Sequence, residues 1–71
     1  MEKQLALDIQ RHGLNAIVEL TRALDTAFGR CSEEEYNAVK RGVGSCIGQV
    51  QMEVLEILYL QHPDIDPLIE T

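Results

Sequence analysis

Any chemistry in this chain would have to come from His12, Cys31, Cys46, His62 and a scatter of carboxylates. Zinc-type sites use close ligand pairs, because two donors a turn apart can reach one ion. Here the nearest Cys or His neighbours are fifteen residues apart. His62, Asp64 and Asp66 do form a local group, but it reads as a helix end with solvated charges. No metal site is expected. Cys46 falls at the edge of an apolar stripe and is expected to be a small buried hydrophobe. Cys31 precedes a helix N-terminus, which favours thiolate, while Glu33, Glu34 and Glu35 oppose that charge.

Acid–base catalysis needs a pocket that perturbs a titrating group. Glu53 and Glu56, at i and i+3 near a polar border, read as a solvated pair. Gly42-Val43-Gly44 lies within a helical pattern and lacks the preceding strand and following lysine of a phosphate loop. No catalytic residue, cofactor or metal is expected, and the chain reads as a non-enzyme.

The elements that carry these residues are two helices. The stronger pattern runs from Ser32 to His62. Ser32 with Glu35 forms a capping box, three glutamates suit the positive end of the helix dipole, and His62-Pro63 closes the element. Between them Tyr36, Val39, Val43, Cys46, Ile47, Val50, Val54, Ile57 and Leu58 recur at helical spacing on one stripe. The first helix is expected over about residues 2–27. Ile9, Gly13, Ala16, Leu20, Ala23 and Ala27 share one side, flanked by Ala6, Leu14, Ile17 and Leu24. Gly13 on that side marks either close helix approach or a tolerated kink. Gly29 is placed to end the helix in a left-handed conformation, with Phe28 folding under the turn. So short a connection makes the helices antiparallel neighbours.

The fold class is therefore all-α: a single antiparallel helical hairpin, helices about 2–27 and 33–62, with a non-helical tail at 63–71. Gly44 and Gly48, one turn apart with Leu55 and Tyr59 near the same side, mark either a second contact surface or a softened helix. Chains this small rarely stabilise one seam without a staple, and the apolar arcs are wider than one partner helix covers. The expectation is a homodimeric four-helix bundle, with self-association through Tyr36, Val43, Gly44, Ile47, Gly48, Val50, Val54, Leu55 and Ile57.

Charge narrows the partners. The formal net charge is −6, and beyond Arg41 there is no lysine or arginine. Such a surface repels phosphate backbones and anionic lipid, so neither nucleic acid nor membrane is an expected partner. No stretch is long and apolar enough to span a bilayer, and no apolar signal region follows Lys3, so a reduced, cytoplasmic protein is the expectation. Ile65, Leu68 and Ile69 are apolar enough to dock on the hairpin or on another protein. With Glu53, Glu56, Asp64 and Asp66 they form the expected surface for a basic or apolar protein partner. The sequence thus points to a small acidic interaction or regulatory module acting as a homodimer. The alternative is a secretion or assembly chaperone shielding an apolar segment of a client.

Overall fold

The computed structural model describes residues 1–67. Helix α1 spans Lys3–Ala27, and a second rod returns antiparallel to it as α2 (Glu33–Val50), a wide π turn (Gln51–Leu55) and α3 (Glu56–Gln61). A 3₁₀ turn, Pro63–Ile65, then brings the chain back across the start of α1. All described secondary structure is helical.

The connection behaves as its residues dictate. Gly29 takes φ 74°, a conformation that costs a residue with a Cβ. The Glu35 amide donates to Ser32 Oγ at 3.1 Å, and the Ser32 amide donates to Glu35 Oε1 at 3.0 Å. Both halves of the capping box are therefore formed. Phe28 differs from expectation: it is 74% exposed, with its ring edge-to-face on Tyr36 at 5.9 Å.

The second rod is not one uninterrupted α-helix. The Glu56 amide donates to Gln51 O, a five-residue step that widens the helix by one residue. Upstream, Val43 is buried and Ile47 and Val50 are half-buried, as the stripe requires. Downstream, the inward positions become Leu55, Leu58 and Tyr59, while Val54 and Ile57 turn out to the flank. The step from Val50 to Leu55 is the inserted residue made visible.

On α1 the inward line runs through Ala6, Ile9, Gly13 and Ile17, with Ala16 and Ala23 left exposed. This line is rotated from the alanine-centred side, because the single partner rod covers only one arc. Gly13 is a close approach: a Cβ there would lie 2.9 Å from Leu55 Cδ2. Cys46 is exposed rather than buried, on the flank of Val43 and Ile47 that no helix covers.

Candidate interaction surface

The two rods leave two long flanks, and the positions with functional interest lie on them or at the open end of the hairpin. One flank carries a groove of about 350 Å³, lined by Leu14, Gln51, Met52, Leu55, Glu56, Tyr59, Asp66 and Pro67. Met52 is 76% exposed there, and Val18 lies one turn along α1 from Leu14. The opposite flank, by helical projection, shows Leu5, Ala16 and Ala23 from α1 with Val39, Cys46, Val54 and Ile57 from the second rod. Its large members are substantially open to solvent: Val54 is 38% and Ile57 49% exposed.

The residues expected to mediate self-association are therefore divided. Val43 and Leu55 are buried inside the hairpin, Tyr36, Ile47 and Val50 are half-buried, and Val50 packs on the core cluster. They are already used within one chain. Val54 and Ile57 remain available. Gly44 and Gly48 front open space, with no atom within 4 Å of an added Cβ.

The residues expected to meet a partner are divided too. Glu53 and Glu56 are exposed, as a solvated pair should be. Ile65 instead packs against the core cluster of Ala6, Leu55 and Leu58. Asp64 pairs with Lys3, whose ammonium holds its carboxyl below the usual aspartate value. Leu68 and Ile69 lie outside the described residues.

A polar clamp around the open end was not legible in the sequence. Gln10 Nε2 donates to Tyr59 Oη at 3.1 Å and to the Ile65 carbonyl at 3.0 Å. The Met1 ammonium donates to Gln61 Oε1, and His62 Nε2–H donates to the Met1 carbonyl at 2.7 Å. The available signal was positional: Gln10 falls on the inward line between Ala6 and Gly13, where a polar residue needs a partner. His62 is thus engaged in closing the hairpin. Among the described residues, no group of three His, Cys, Asp or Glu side chains is arranged to hold a metal ion. No described helix is long and apolar enough to cross a membrane.

What this geometry offers is surface: two apolar flanks and an acidic end. No protein-family model, curated protein or solved structure matches the chain.

Proposed function

We propose that this protein is a small acidic, non-enzymatic interaction or regulatory module that works in the cytoplasm as a homodimer. One observation carries the reading: a single hairpin leaves too much of itself uncovered. Its accessible surface is 5369 Å². A compact chain of 8.0 kDa would expose about 4,450 Å². Its Cα radius of gyration is 14.9 Å, against about 11 Å for a compact domain of this length. The surplus of about 900 Å² is close to the roughly 800 Å² that each partner contributes to a standard interface.

The test is sedimentation or light scattering at micromolar concentration. A stable dimer is the expected result, and a folded 8.0 kDa monomer would sink the reading.

A second reading rests on the groove. Its mainly apolar lining, with Glu56 and Asp66 in it, suits a short apolar segment flanked by lysine or arginine, as a chaperone's client or an adaptor's partner would present. Binding dominated by the apolar lining would persist in high salt, whereas binding steered by Glu53, Glu56, Asp64 and Asp66 would lose association rate steeply.

A further inference from the structure

We infer that the second copy sits on the flank opposite the groove, with the two hairpins reversed end for end about a two-fold axis level with residue 48. The inference rests on the homodimer reading and adds its face and its direction.

The face follows from the wide turn. By shifting the inward line to Leu55 and Leu58, the π turn leaves Val54 exposed on the flank of Val39 and Cys46 and turns Ile57 further outward. The α1 side of this flank contributes small exposed residues, Ala16 and Ala23, which let another helix come close. The groove flank is less suited to a flat mate. The chain bends back over it at Asp66 and Pro67, making a concavity rather than a plane.

The direction follows from sequence symmetry and from charge. Gly42 and Val54 are equally distant from residue 48, six positions to either side. End-for-end reversal therefore lays Val54 on Gly42 of the second copy. A Cβ at Gly42 would meet nothing within 4 Å in the single hairpin, so the isopropyl group of Val54 has room there. Stacking in the same direction would instead bring together two open ends, whose second rods carry Glu53, Glu56 and Asp64 with no basic residue beyond Arg41. Reversal keeps those two ends apart.

The two cysteines report the arrangement without any added residue. Cys46 lies two positions from the axis level, about 3 Å at 1.5 Å per residue, so its two copies fall within about 10–15 Å of each other across helices packed 8–10 Å apart. Cys31 lies at the turn, so its two copies fall about 45 Å apart or more at the same rise per residue. Both thiols are exposed and can be spin-labelled one at a time, as Cys31→Ser and Cys46→Ser variants.

Pulsed electron–electron distance measurements on the two variants are expected to give a short separation at Cys46 and a long one at Cys31. A short separation at both would overturn the reversal. A Cys46 separation beyond about 25 Å, more than two helix diameters, would place the second copy on the groove flank and overturn the face. In both cases the homodimer itself would stand. A monomer under the same conditions would remove the homodimer reading along with this inference. Val54→Lys supplies a separate measurement, since that side chain is partly exposed in the single hairpin and its change leaves the buried core untouched. The expected result is a monomer with unchanged helical circular dichroism. A Val54→Lys variant that still dimerises would overturn the face.

Discussion

The two ends of the hairpin are held by different kinds of interaction. At the turn, Gly29, the Ser32–Glu35 box and the Phe28–Tyr36 contact all join residues within eight positions of one another. At the open end, Gln10 reaches Tyr59 and Ile65 across 49 and 55 positions, and Met1 reaches Gln61 across 60. The largest buried side chains, Leu55 and Leu58, lie in this half. The turn end forms because local backbone geometry leaves little choice. The open end forms only once both rods are in place, so its loop-closure entropy is offset by core burial rather than by caps.

The sharpest way to break this contrast is in the open-end core. Leu58 is 2% exposed, and Leu58→Ala should cost about 2–5 kcal/mol, enough to unfold a marginal small domain. Chemical denaturation would read it. A loss under about 1 kcal/mol would mean that the open end is not the stabilising half.

Glycines give the next contrast. Gly13→Leu must displace the packed Leu55 side chain and should destabilise by about 1–3 kcal/mol. Gly48→Ala fills open space on a helix and should stabilise by up to about 1 kcal/mol. Opposite shifts in melting temperature are the expected outcome. A fall for both would show that Gly48 meets a close neighbour in the assembly.

The turn end is probed by Ser32→Ala, which removes the acceptor for the Glu35 amide and should cost about 1 kcal/mol. Because the device is local, the amides of α2's first turn should lose hydrogen-exchange protection while those near Leu58 keep theirs relative to global stability.

The smallest effect is that of pH, and it touches both ends. Backbone hydrogen bonding at Ser32 holds the Glu35 carboxyl below its ordinary 4.5, and the Lys3 side chain holds that of Asp64 below 3.8. A folded-state value below the unfolded one adds stability above the unfolded value, and the gain disappears as pH falls through the folded value. Both groups are exposed, so their contribution to stability should be flat from neutral pH down to about 5 and decline slightly below it. Carboxyl chemical shifts followed by NMR would show both midpoints under their ordinary values. A midpoint for Asp64 at or above 3.8 would mean that the Lys3 contact does not persist in solution.

The sequence by itself determined the class of fold, the two helices, the turn and its caps, since all of these are set by residues close together in the chain. Ser32, Glu35, Gly29 and Pro63 act on their immediate backbone, and their types and spacing suffice to read them. Tertiary structure decided which arc of each helix faces inward. An apolar stripe wider than one contact is compatible with several rotations, and a helix widens by one residue only where packing holds it there. With Leu55 seated in the space left open by Gly13, Val54 and Ile57 turn outward and Gln10 is brought within reach of Tyr59. Local spacing cannot show this, because the partner atoms are some forty to fifty residues away.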